Sequence, residues 1–213
     1  MALSVSFSCY LLLVEDVKER WVTMAEIVFF HHARGLTDGV KAFAQTLRDA
    51  GNVVHTPDLF DGLTFESIDD GVRHIHSLGT KVFAERSEAA ISAFPSRVVY
   101  GGASFGVHAA TTQILRHTGA LGAFFLYEVP LPSWWGVEWP LNVPVQAHQA
   151  EFDPWRQPEV EAHFAETVPG SELYLYPASG HLFLDSDSAD FDLGAAQLAT
   201  QRILSFVAGL PNV

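Results

Sequence analysis

Short apolar runs of strand length alternate along this chain with segments of helix length, and that alternation limits its fold more than any other feature. Ile27 to His31 reads as a buried strand. The following "LTDGVKAFAQTLRDAG" reads as a helix, with Thr37 or Asp38 as its cap, Val40, Phe43, Ala44 and Leu47 on one face, and Gly51 as its stop. "NVVHTPD" is a second strand ended by Pro57, and a helical stretch from 64 to 93 breaks at Gly79. "RVVYG" is a third strand, followed by a helix from about Phe105 to His117. "GAFFLY", "VPVQAH" and "ELYLYP" supply three more strands, with helices over "DPWRQPEVEAHFAETV" and from Asp192 to Leu210. Such an order predicts an α/β fold in three layers, a mostly parallel sheet with helices on both faces. These elements consume most of the chain, so no large cap domain is expected.

Bulk properties narrow the partners. A chain of 213 residues, 48% hydrophobic and 17% charged, suits one domain with one large core. The formal charge of −13 disfavours nucleic acid and anionic membrane. Cys9 is the single cysteine, which rules out an intrachain disulfide and a thiolate-rich metal site and fits a reducing, cytoplasmic setting. No apolar run is long enough to span a bilayer. Residues 1–23 have two readings. Leu3, Val5, Phe7, Cys9 and Leu11 alternate with polar residues as in a strand; alternatively the native chain starts at Met24. The main domain is 24–213 on either reading. The oligomeric state is open between monomer and homodimer.

The chemistry is carried by "VVYGGASFGVHAA". Gly102, Ser104 and Gly106 fit G-x-S-x-G, with an apolar strand before the serine and a helix after it, the context in which a serine is held on a strained turn. A glycine-rich turn without chemistry is the alternative. A serine hydroxyl needs a base, and the base needs a carboxylate to hold it. On a parallel sheet these belong on loops at the carboxyl ends of later strands, acid before histidine. Asp153 follows the fifth strand in "HQAEFDPW", and His181 follows the sixth in "YPASGHLFLD". Glu151 and Glu128 are rival acids, and Asp153 has the bland alternative of capping a helix. Oxyanion donors are expected from the N–H of Phe105 and from the loop "HHARGLTDG", where Ala33 is the choice and Arg34 its rival. Trp134, Trp135 and Trp139 in "PSWWGVEWPLN" are candidates to line an apolar pocket or, equally, to plug the core. No histidine spacing supports a metal site, and no cofactor is expected.

From about residue 25 to 210 the chain resembles the dienelactone hydrolases of the α/β-hydrolase superfamily, through "HHARGLTDG", "HTPDLFDG", "GGASFG", "EFDP" and "SGHLF". The resemblance implies an α/β-hydrolase fold and a small-molecule ester or lactone substrate. It also has departures. Ser104 stands where the best-known members carry cysteine, implying serine esterase chemistry. His32 stands at the position of a glutamate near the nucleophile, and His32 and Arg34 are pocket candidates. Asp185, in "HLFLDSDSAD", stands where those members need a cation for a substrate carboxylate, which points to a neutral ester or lactone. A thioesterase with the same triad, or a hydrolase-like binder without turnover, are the other readings.

Overall fold

The computed structural model describes residues 24–211, so the alternating stretch near the N-terminus lies outside the described residues. Six strands form one parallel sheet: β1 (Glu26–Phe30), β2 (Val53–His55), β3 (Val98–Ala103), β4 (Ala120–Leu126), β5 (Val145–Ala150) and β6 (Glu172–Tyr176). Their spatial order is β2-β1-β3-β4-β5-β6. The helices are α1 (Asp38–Asp49), α2 (Ile68–Leu78), α3 (Thr80–Ile91), α4 (Phe105–Arg116), α5 (Pro158–Thr167) and α6 (Leu193–Gly209), with a short 3-10 turn at Pro132–Trp135.

The strand side chains alternate between two cores, as a period of two requires. Ile27 and Phe29 pack with Val40, Phe43 and Leu47 of α1 and with Ala199, Ile203 and Val207 of α6. Val28 and Phe30 face the other way, onto Ile75 of α2, Phe83 of α3, Val107 and Ile114 of α4 and Phe164 of α5. Phe29, Phe30, Phe124 and Phe125 are fully buried; removing each from water stabilises the fold by about 1.5–3 kcal/mol. The two cores are the physical content of three layers, and they place helices on both faces of the sheet.

Local signals set most helix ends. Thr37 Oγ1 accepts from the Val40 N–H, and Asp192 caps Ala195 at 2.8 Å. Gly79, at φ 82°, separates α2 from α3. One boundary departs from expectation: α5 begins at Pro158, not near Asp153. Gln157 precedes a proline and takes a non-helical conformation, φ −125° and ψ 86°, so the helix starts after it, and Asp153 is left in the loop after β5. Among the described residues no helix is long and apolar enough to cross a membrane.

Candidate active site

Ser104 sits between β3 and α4 at φ 49° and ψ −115°, a left-handed backbone for a residue with a side chain. The surroundings hold it there. Its N–H donates to the Leu126 carbonyl at 2.8 Å, and its own carbonyl accepts from the Val107 N–H at 2.8 Å. The flanking glycines follow from close approach. A β-carbon on Gly102 would lie 2.5 Å from the Gly106 carbonyl oxygen, and one on Gly106 would lie 2.7 Å from the His31 carbonyl oxygen. The two glycines of the motif thus pack on each other and on the loop after β1, and the strain of the turn is confined by backbone on every side.

His181 Nε2 is 2.9 Å from Ser104 Oγ, and His181 Nδ1 is 2.7 Å from Asp153 Oδ2. The carboxylate can only accept, so Nδ1 carries the proton and Nε2 offers its lone pair to the serine hydroxyl. Asp153 Oδ1 accepts from the Trp155 N–H at 2.8 Å, so each carboxylate oxygen has a partner. Asp153 and His181 are both buried. The Tyr127 ring lies 5.5 Å and the Trp155 ring 5.7 Å from the imidazole, one packed beneath and one half-exposed. Neither aromatic figures in the sequence reading. Trp155 is two residues beyond Asp153, a position that could have flagged it; Tyr127 is marked by nothing but its place at the end of β4. The rival acids lie elsewhere: Glu128 Oε1 is 3.3 Å from His108, and Glu151 is exposed.

The loop after β1 decides between the two candidate oxyanion donors. The Arg34 N–H is already spent on His32 Nδ1 at 3.2 Å. The Ala33 N–H has no acceptor among the described residues, nor has that of Phe105, the first residue of α4. Below them His31 is fully buried. Its Nε2 accepts from the Leu59 N–H at 3.0 Å and its Nδ1 donates to the His32 carbonyl at 2.8 Å. Burial lowers its pKa to about 4, so it stays neutral.

No family model matches the chain, and no curated protein matches it in sequence. Solved structures do resemble it. A dienelactone hydrolase-like promiscuous phosphotriesterase from metagenomic libraries superposes with a TM-score of 0.72 at 20% identity, covering 87% of this chain and 86% of that one. A dienelactone hydrolase of Anabaena variabilis gives 0.59 at 20% identity, over 88% and 87%. The thioesterase domain of the curacin biosynthetic pathway gives 0.60 at 12% identity, over 87% and 91%. The chain has the α/β-hydrolase fold.

Within that fold the expected pocket residues part ways. Trp139 is a core plug: it is buried, donates to the Val143 carbonyl at 2.8 Å and packs on Phe125. Trp134 is half-exposed and stacks on His108. Trp135 borders a groove of about 520 Å³ between α3 and α4 that Phe83, Phe105, His108 and Thr112 also line. Arg34 turns away from Ser104, donating to the Phe65 carbonyl at 3.0 Å and the Asp187 carbonyl at 3.1 Å. His32 is buried, and its Nε2 lies 2.6 Å from Asp185 Oδ2. Asp185 is 2% exposed, so it is not the substrate-facing charge that its place in the sequence suggests. Burial alone would raise its carboxyl; the bond and charge of His32, the Asp187 N–H and the Arg34 guanidinium outweigh that and hold it below the ordinary carboxylate value.

Proposed function

We propose that this protein is a serine hydrolase that cleaves carboxylic esters or lactones through an acyl-enzyme. One observation carries the reading: Asp153, His181 and Ser104 form a single hydrogen-bonded row, with steps of 2.7 and 2.9 Å, from three loops at the carboxyl edge of the sheet. His181 Nε2 removes the hydroxyl proton as Ser104 Oγ attacks the carbonyl carbon. Asp153 fixes the tautomer and stabilises the imidazolium. The Ala33 and Phe105 N–H groups face the oxyanion, worth about 10²–10³ in rate for each such donor. His181 then gives its proton to the leaving alcohol, and water, deprotonated by the same imidazole, releases the acid. This chemistry uses no metal or organic cofactor.

The dienelactone hydrolase resemblance of the sequence and of two solved structures supports the ester and lactone class. Ser104 in place of cysteine makes it alcohol rather than thiolate chemistry. Arg34, turned away and paired with Asp187, is not free to hold a substrate carboxylate, which favours a neutral substrate. The groove beside Phe105 and Trp135 takes its apolar part. Thioester cleavage is the second reading, favoured by the likeness to a thioesterase domain. A screen over p-nitrophenyl esters of rising chain length, simple lactones and acyl-thioesters tests both. Turnover of esters or lactones that Ser104→Ala abolishes is the expected result. Turnover confined to thioesters would replace it with the second reading, and no turnover of any would contradict both.

A further inference from the structure

Resting on the serine-hydrolase reading, we infer that His32 and Asp185 form a buried clamp that positions the oxyanion-binding loop against the loop carrying His181. The two residues are far apart in sequence but lie on the two loops whose mutual placement the reaction needs. His32 adjoins Ala33, and Asp185 is in the turn that begins at His181. Their side chains meet at 2.6 Å and both are buried. Both carboxylate oxygens of Asp185 are engaged. Oδ2 accepts from His32 Nε2–H and from Thr37 Oγ1 at 3.3 Å, and Oδ1 accepts from the Asp187 N–H at 2.8 Å. Gly39, in the first turn of α1, leaves the room: a β-carbon there would overlap the carboxylate.

Two peptide units flank Ala33, and the clamp holds the second of them. The Ala33 N–H shares a plane with the His32 carbonyl and points the opposite way. That carbonyl accepts from His31 Nδ1–H at 2.8 Å and from the Gly35 N–H at 3.0 Å. The next amide, of Arg34, is held by His32 Nδ1. The peptide unit before Ala33 is thus held by the His31 ring and the Gly35 amide, and the unit after it by the His32 imidazole, whose other nitrogen is fixed to Asp185. With Asp185 gone, the His32 ring is released and the Arg34 amide loses its acceptor; the His31 and Gly35 bonds still hold the His32 carbonyl, so the Ala33 N–H shifts with the loosened peptide unit that follows it. His32 and Asp185 touch no reacting atom; they are positioning residues. A buried ion pair is by itself weak support for stability, so the pair's place between these two loops is what the test must address.

The experiment compares full-length wild type, Asp185→Ala, Asp185→Asn and His32→Gln on the best p-nitrophenyl ester from the screen. Active sites are counted by fluorophosphonate labelling, so that misfolded molecules drop out. Affinity for an alkyl trifluoromethyl ketone, whose serine adduct carries an oxyanion, is measured in parallel. Asp185→Ala should lose about 10²-fold in kcat per labelled site, the scale of a misplaced oxyanion donor, with KM within twofold and ketone affinity lowered in parallel. Asp185→Asn, which keeps an acceptor for His32 Nε2–H, should recover most of that loss. Where Asp185→Ala does not fold, His32→Gln gives the reading: it can donate to Asp185 through its amide nitrogen but places no acceptor where His32 Nδ1 holds the Arg34 amide, and kcat should fall about tenfold with KM unchanged. An unchanged kcat per site in the variants, or KM and kcat changing together, would overturn the clamp while leaving the hydrolase reading intact. A wild type that neither labels nor turns over any ester would overturn the hydrolase reading and the clamp with it.

Discussion

Two buried imidazoles in this molecule each sit against a buried carboxylate, and nearly everything about them matches except what the second nitrogen faces. His181 meets Asp153 at 2.7 Å and His32 meets Asp185 at 2.6 Å. Both pairs lie on loops at the carboxyl edge of the sheet. The far nitrogen of His181 points at a serine hydroxyl held on a strained turn, 2.9 Å away; that of His32 points at a backbone N–H at 3.2 Å. A carboxylate–imidazole pair therefore has no role of its own. The same unit becomes a proton acceptor or a brace according to the group on its open side. A third imidazole makes the contrast sharper. His148 is buried between the Tyr176 hydroxyl, 2.7 Å from Nδ1, and Gln146 Oε1, 3.1 Å from Nε2, with no carboxylate partner. Burial, with Arg202 nearby, lowers its pKa to about 3, so it stays neutral.

The largest expected effect separates the two pairs directly. Asp153→Asn replaces an acceptor-only partner by an amide that can donate to Nδ1 and so allows the wrong tautomer; kcat should fall about 10⁴-fold. Asp185→Asn should stay within about tenfold of wild type, because its imidazole never has to accept a proton. Steady-state kinetics on one ester checks both, and equal losses would erase the distinction between the pairs.

The next effect is on stability and concerns the imidazoles that lack a matched charge. His148 and His31 have folded pKa values of about 3 and about 4, below the free value of 6.5. Unfolding therefore takes up protons between those limits, so stability is full above pH 6.5 and declines as the pH falls toward 4. Each such histidine adds a slope of about 1.4 kcal/mol per pH unit within its window. Urea midpoints at several pH values between 7.5 and 4 should fall steadily, and His148→Gln should flatten the curve by roughly half. Asp185 acts lower: its depressed folded pKa gives stability that is present above the ordinary carboxylate range and is lost as the pH falls through it. The smallest expected effect is that of Glu151→Gln. Glu151 is exposed and makes no bond to His181, so kcat should remain within twofold, which separates it from its neighbour Asp153.

The sequence made the scaffold legible because its signals are local. The unbroken apolar run Ile27–Phe30 and the periodicity near 3.6 in Val40–Leu47 each report on one element and its burial. The order serine, acid, histidine was also readable, since a parallel sheet brings the carboxyl ends of β3, β5 and β6 to one edge whatever the loops do. Side-chain direction within the loops was not readable. Whether His32 lines a pocket or braces a loop depends on Asp185, on a loop at the far end of the chain. Whether Trp139 lines a cavity or fills the core depends on Phe125 and the Val143 carbonyl. The late start of α5 was in plain view in the Gln157–Pro158 pair, but the helical pattern of the residues before it outweighed that signal. Local rules find elements and edges; contacts between distant loops decide what a side chain at an edge does.

The most direct measurement is the mass of the intact protein after exposure to a fluorophosphonate, followed by mapping of the modified peptide. An activated serine predicts one adduct, on Ser104, formed rapidly in wild type, slowed by orders of magnitude in His181→Ala and absent in Ser104→Ala. Folded wild-type protein that takes up no label, or that labels at Ser104 just as fast without His181, would contradict the claim that this imidazole makes that hydroxyl a nucleophile.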